Sequence, residues 1–205
     1  VENDVKAAAL GAASLRGGTL SMGYLNLGTG IAAAIVTGGV LWRGARGGAG
    51  EIGHLSIDPA GPVCRCGQRG CIEALAGGGA VSARWGRPGA LPIRDVFDAA
   101  DGGDAAAVLV RTDLARGVAA AIRVLVLTAD VDTVVLGGGI TALGTRLQSE
   151  VAAQLEASAR ESAFLRSLQL VDRVEILPAG APAAALGAAL IGTEAADERE
   201  VLSHG

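Results

Sequence analysis

All three cysteines of this 205-residue chain fall within eight residues, in Val63-Cys-Arg-Cys-Gly-Gln-Arg-Gly-Cys-Ile-Glu73. His54, one of two histidines, stands ten residues upstream of Cys64. His54, Cys64, Cys66 and Cys71 can complete a tetrahedral Cys3His zinc site, a closed ligand set that leaves no position for water and so reads as structural. Few sequence features constrain a fold as tightly, because four side chains must converge on one point. A Cys-x-Cys chelate requires a sharp backbone turn, which Gly67 and Gly70 permit. Pro59, Gly61 and Pro62 shape the return toward His54. Three buried thiols and a satisfied histidine are the alternative, but a single cluster holding every cysteine favours the metal. Glu51 and Glu73 flank the segment, so a metal there fixes two carboxylates able to bind a ligand.

An odd cysteine count at this spacing argues against a disulfide framework and for a reducing cytoplasm. The net charge of −4 provides no basic footprint for nucleic acid. No run of 18 apolar residues is free of charge, since Arg123 and Asp130 interrupt the best candidate around 117–140, so no transmembrane helix is expected. Glu2, Asp4 and Lys6 leave no secretory signal at the start. Half the residues are hydrophobic but only 2% are aromatic. Alanine supplies much of the apolar content, which predicts closely packed helices.

The chain opens with Val1-Glu-Asn-Asp-Val5 and runs straight into an alanine-rich helix over 4–15, as though it began mid-domain. Asn3 or Asp4 caps that helix and Gly17-Gly18 ends it. Residues 20–42 read as a hairpin: Leu20 to Leu27 extended, Gly28-Thr29-Gly30 the bend, Ile31 to Val36 the return. Residues 43–80 read as loop-rich. A short helix is expected at 93–100. Asp104 caps a long one to Thr128, with Leu109, Leu114, Val118, Ile122 and Leu125 on one face. Thr133–Leu136 and Arg173–Leu177 read as strands, and 143–159 and 182–191 as helices. The tail 193–205 is polar and expected to fray. The β/α alternation after residue 100 predicts an α/β layer structure.

Three further constellations bear on chemistry. Gly28-Thr29-Gly30 between two strands lets backbone N–H groups and a hydroxyl approach phosphate oxygens, or is a plain hairpin turn. Gly137-Gly138-Gly139 follows a buried strand, where glycines let a flat ligand such as a purine lie on the backbone or simply allow tight packing. Asp4 is part of a helix start, or a general base toward a sugar hydroxyl.

The order of these segments resembles the ROK family, named for repressors, open reading frames and kinases. The resemblance rests on Glu2-Asn-Asp-Val-Lys-Ala-Ala-Ala-Leu-Gly11, Leu27-Gly-Thr-Gly-Ile31, Gly50-Glu-Ile-Gly-His54, Cys64-x-Cys-Gly-x-x-Gly-Cys-x-Glu73 and Val135-Leu-Gly-Gly-Gly139. It implies an actin-like ATPase (ribonuclease-H-like) fold with a zinc-binding loop over 51–73. Residues 1–18 would be the hinge and first helix, 19–192 the family's large domain and 193–205 a tail. The resemblance further implies that Asn3, Glu51, His54 and Glu73 bind sugar hydroxyls and that Asp4 is the catalytic base. It implies that Gly28, Thr29 and Gly30 hold phosphates, that Gly137, Gly138 and Gly139 face adenosine, and that His54, Cys64, Cys66 and Cys71 hold structural Zn2+. ATP and Mg2+ would be required for a kinase acting on a hexose or N-acetylhexosamine. A homodimer or homotetramer is the expected assembly.

Two departures stand out. The family's first phosphate loop, Asp-x-Gly-Gly-Thr, is absent from this chain, so phosphorylation by the chain alone is expected to be poor. Ile31-Ala-Ala-Ala34 stands where kinases often carry glycines, and its methyls could crowd a nucleotide. The leading expectation is an ATP-dependent sugar kinase, because Asp4 and both nucleotide loops are intact. The alternative is a sugar-sensing transcriptional regulator, which would touch DNA only through a helix-turn-helix absent from this sequence. The ending Pro178-Ala-Gly-Ala-Pro-Ala-Ala-Ala-Leu-Gly187 has something of that class.

Overall fold

A computed structural model describes residues 3–17 and 21–203, with side chains described as far as Thr193. In chain order the elements are α1 (Asp4–Ser14), β1 (Met22–Leu27), β2 (Ile31–Thr37), β3 (Val40–Leu41), α2 (Ile72–Ala76), α3 (Gly78–Trp85), α4 (Pro92–Asp101) and α5 (Ala105–Ala129). They continue with β4 (Thr133–Gly137), α6 (Thr145–Glu161), α7 (Ala163–Ser167), β5 (Val174–Ile176) and α8 (Ala183–Ser203).

The five strands form one sheet in the order β3-β2-β1-β4-β5. β1 pairs antiparallel with β2, from Met22↔Val36 to Leu27↔Ile31, and parallel with β4, from Met22↔Thr133 to Asn26↔Gly137. β4 pairs parallel with β5. This register brings the β1–β2 turn and the end of β4 side by side at one edge of the sheet. Ligands of open α/β sheets bind at such carboxyl ends.

Strand alternation divides the core in two. Leu25, Leu27, Ile31, Ala33 and Ile35 pack with α3–α6, and Met22, Tyr24, Ala34 and Val36 pack with α1 and α8. The expected α/β layering is therefore present. Ala33 and Ala34 are buried in these two cores. Their methyls serve packing, while Ala32, opposite Asn26, is only partly buried.

The alanine-rich helices pack as closely as composition predicts. A Cβ on Gly187 of α8 would stand 1.6 Å from the Ala7 carbonyl oxygen, and one on Gly11 of α1 1.8 Å from that of Ala183. The two helices cross with backbone against backbone.

Several expectations need correction. Leu109 is 67% exposed. The buried stripe of α5 runs through Ala107, Val110, Leu114 and Val118, and a residue one position from Val110 points about 100° away. The segment 78–80, read as loop, opens α3. The helix expected from 143 begins at Thr145, after a tight turn over Gly139–Leu143. α8 extends to Ser203, well past the expected end at 191. Gly18 and Leu20 lie outside the described residues. No helix among the described residues is long and apolar enough to cross a membrane.

Candidate active site

The segment from Glu51 to Glu73 folds against the start of β2. A short turn over Ile52–His54 sits so close that a Cβ on Gly53 would lie 2.0 Å from the Ile31 carbonyl oxygen. Ala33 N donates to the Gly50 carbonyl at 2.8 Å, so the chain entering Glu51 is held as a further rung beside β2. Beyond it the cysteine loop doubles back. Cys64 N donates to Gln68 O at 2.7 Å, Gly67 N to Cys64 O at 2.9 Å and Gly70 N to Pro62 O at 2.8 Å.

The loop gathers its four donors. One ligand atom each from His54, Cys64, Cys66 and Cys71 all lie within 4.8 Å of one another. His54 Nδ1 is 3.8 Å from Cys64 Sγ, and Cys66 Sγ is 3.7 Å from Cys71 Sγ. Three thiols and an imidazole at these separations fit a structural tetrahedral metal. The thiols are unequal. Hydrogen bonding from the Gln68 backbone, then from its side chain, lowers Cys66 to about 6, while burial foremost pushes Cys71 up to about 12. Cys66 is ready to ligate, whereas Cys71 would be ionised by the cation itself.

Glu73 lies in the first turn of α2, two residues after the last cysteine. Its carboxylate is 9% exposed, accepts from Ile31 N at 2.9 Å and pairs with Arg65 Nε at 2.8 Å. Arg65 is 74% exposed. Glu73 thus joins the cysteine loop to the residue that follows the Gly28-Thr29-Gly30 turn.

At the opposite face, Asn3 is the cap of α1 and accepts from Val5 N at 2.8 Å, leaving Asp4 as the exposed first helical residue. Burial, and then the Asp4 charge, hold the Tyr24 phenol above its ordinary pKa. Lys6, buried in α1, donates to Gly47 O at 2.5 Å and so ties the first turn of α1 to the loop that leads into Glu51.

Gly28, Thr29 and Gly139 line one cavity of about 750 Å³. Its other walls are Gly78, Gly79 and Ser82 of α3, Ala90 to Arg94 entering α4, and Ile140, Ala142 and Leu143. Gly78 N donates to Gly28 O and Gly79 N to Thr29 O, each at 2.9 Å, so the start of α3 is seated on the turn. Neither α3 nor the wall from Leu91 to Arg94 was anticipated. The triple glycine at 77–79 was an available signal. The cavity is largely apolar with glycine backbone at one end, as a site for a flat base followed by phosphates requires. Gly30 is drawn toward Glu73 and is not part of its lining, and neither Gly137 nor Gly138 lines it.

The fold and site together define an α/β domain with a ligand cleft at the sheet's carboxyl edge and a Cys3His loop beside it. A model of the ROK family matches residues 1–194. The chain belongs to the ROK family.

The chain is 39% identical over 140 residues to an N-acetylmannosamine kinase of Escherichia coli O139:H28, a match covering 67% of this chain and 48% of that protein. It therefore spans about half the length of the curated relatives it matches. Among solved structures it superposes on a ROK hexokinase from Thermus thermophilus with a TM-score of 0.78 at 38% identity, covering 96% of this chain and 65% of that one. A ROK glucokinase from Streptomyces griseus, in complex with glucose and AMPPNP, gives a TM-score of 0.71 at 28% identity, covering 93% and 67%. A ROK transcriptional regulator homologous to the E. coli MLC protein gives 0.65 at 29%, covering 91% and 50%. The mixed α/β fold is thus that of the actin-like ROK sugar kinases.

Proposed function

We propose that this chain is the large domain of an ATP-dependent sugar kinase acting on a hexose or N-acetylhexosamine. The observation that supports the reading is the convergence of Gly28-Thr29 and Gly139 on one cleft, with the Glu73 carboxylate bonded to Ile31 N directly after that turn. Nucleotide loops, a carboxylate base and a polar sugar-binding set are what phosphoryl transfer to a hydroxyl needs.

In this reading Asn3, Glu51, His54 and Glu73 hold sugar hydroxyls, and Asp4 takes the proton of the attacking hydroxyl. The sugar oxygen–phosphorus bond forms as the bond from the γ-phosphorus to its bridging oxygen breaks, and ADP leaves. Gly28 and Thr29 cradle phosphates, with Gly30 closing their turn, while Gly139 faces the nucleoside, with Gly137 and Gly138 carrying the chain to it. Mg2+ accompanying ATP supplies charge neutralisation. The metal of His54, Cys64, Cys66 and Cys71 is Zn2+ in a structural role, fixing Glu51 and Glu73 at the two ends of its loop. With Nδ1 turned to the thiols, His54 has its second ring nitrogen for the sugar.

Similarity to an N-acetylmannosamine kinase and to glucokinases supports the substrate class. Residues 1–18 serve as hinge and first helix, 19–192 as the large domain and 193–205 as a tail. A cytoplasmic homodimer or homotetramer suits an ATP-using enzyme with reduced thiols. Similarity to a ROK regulator favours a second reading, a sugar-responsive effector domain that reaches DNA through a separate helix-turn-helix.

A thermal-shift panel of glucose, mannose, N-acetylglucosamine and N-acetylmannosamine, with and without ATP, separates the two. The kinase reading expects a rise with one sugar class and an independent rise with ATP. A response to sugar with none to any nucleotide would favour the regulator.

A further inference from the structure

Asn26 is the one residue of β1 that is not buried. Strand alternation puts its side chain with Met22 and Tyr24 on the α1 side of the sheet. It is the penultimate residue of β1, two before the Gly28 turn, and pairs with Gly137 across the parallel ladder.

The amide is wedged between the two glycine loops. A Cβ on Gly28 would stand 3.1 Å from Asn26 Nδ2, and one on Gly138 would stand 2.9 Å from Asn26 Oδ1. One polar atom is therefore turned toward each loop, and neither glycine has room for a side chain beside it. Among the described residues, this amide makes no hydrogen bond. Two donors and an acceptor left without a protein partner in a half-buried position call for a ligand or water.

Its surroundings specify the ligand. On one side lie Gly28, which lines the glycine end of the cleft, and Gly138, directly before the lining residue Gly139. On the other lies Asp4, whose charge reaches Tyr24, the preceding residue on the same face of β1. The adenine end of the cleft is the apolar wall of Leu91, Pro92, Ile140 and Leu143. In the nucleotide-cleft reading, a phosphate at the Gly28 turn that faces a hydroxyl on the α1 side of the sheet comes to Asn26.

We infer that Asn26 is a phosphate-binding residue, its Nδ2 donating to a terminal phosphate oxygen of a bound nucleoside triphosphate. The inference rests on the nucleotide-cleft reading above. Asn26 thereby links the Gly28 turn and the Gly138 turn through one ligand. Its amide adds a directed donor where two glycine loops supply only backbone.

Isothermal titration of the full chain with AMPPNP and, separately, with adenosine tests this. Asn26→Ala is expected to weaken AMPPNP about tenfold, as loss of a hydrogen bond to a charged oxygen does, with adenosine affinity within about twofold. Asn26→Asp keeps the shape, opposes phosphate and is expected to weaken AMPPNP further, again sparing adenosine. It carries the test if the alanine variant does not fold. Unchanged AMPPNP affinity in both variants overturns the role of Asn26 while leaving the cleft reading intact. Equal losses for AMPPNP and adenosine also overturn it, because a purely structural amide would not discriminate between them. If the unsubstituted chain binds neither ligand, the cleft reading and this inference fall together.

Discussion

Replacing Gly187 with alanine tests the helix crossing on which the position of Asp4 depends. In an isolated helix this change is favourable by about 1 kcal/mol, since alanine is the better helix former. Here the new methyl would stand 1.6 Å from the Ala7 carbonyl oxygen, far inside the 3.0 Å below which real Cβ contacts essentially never fall. The obstacle is backbone and cannot rotate away. α1 and α8 must separate, loosening Ala8, Ala9, Ala12 and Ala183 in the core between them. Overpacking of this kind costs about 1–3 kcal/mol, and a backbone clash takes the upper part of that range. Set against the propensity gain, a net loss of about 2 kcal/mol follows. For a chain of this size that lowers Tm by about 4–8 °C. Gly192 lies on the same helix with nothing within 4 Å of an added Cβ, so Gly192→Ala should be neutral or stabilising by up to about 1 kcal/mol. Differential scanning calorimetry of the two variants gives opposite signs if the crossing is as described. A rise in Tm for Gly187→Ala matching that for Gly192→Ala would refute the close packing.

Elemental analysis should find about one zinc per chain, and Cys66→Ser should lose it together with folded stability or sugar affinity. A fully folded, metal-free native protein would contradict the closed Cys3His assignment. In chelator-treated protein, alkylation of Cys66 should fall off as the pH drops through about 6, while Cys71, pushed up to about 12, stays unreactive at neutral pH. Mass spectrometry of labelled peptides reads both. Asp101 is held below its ordinary pKa of 3.8 by hydrogen bonds from Arg146 and then Arg111. A depressed carboxylate contributes stability that is present above that value and lost as pH falls below it. The acid limb of a Tm-against-pH curve should therefore be shallower in Asp101→Asn. Asp4→Asn should reduce sugar phosphorylation by the intact protein about 10²–10⁴-fold, as loss of a general base does, with sugar affinity changed only a few-fold. An active Asn variant in a rapid-quench assay would remove Asp4 from the chemistry.

The parts of this molecule that were legible in sequence are those where chemistry restricts residue type. Metal ligation admits few side chains, so His54 and the three cysteines announced their own convergence. A β-turn between two apolar runs announced Gly28-Thr29-Gly30, and the α5 stripe announced a buried helix. Leu109 shows the limit of that reasoning, because one residue of phase separates Val110 inside from Leu109 outside. The cleft was less legible for a different reason. Its apolar wall is assembled from Leu91 to Arg94 and from Ile140 to Leu143, segments that only the folded chain brings opposite Gly28. α3 was hidden by Gly77-Gly78-Gly79, which reads as a breaker. The Gly78 and Gly79 amides instead seat the helix on the Gly28 and Thr29 carbonyls. The pairing of Glu73 with Arg65 and Ile31 N was equally invisible, since no local pattern marks which charge a buried carboxylate will meet. The packing role of Ala33 and Ala34 in β2 was likewise not legible, because it depends on which core each face of the strand meets.

The most direct measurement of the central claim is ADP release by the intact protein carrying this chain, followed across glucose, mannose, N-acetylglucosamine and N-acetylmannosamine at saturating ATP. The kinase reading predicts sugar-dependent ADP release with at least one of the four, lost in Asp4→Asn. No release with any of them, accompanied by sequence-specific operator binding that one of these sugars relieves, would contradict it.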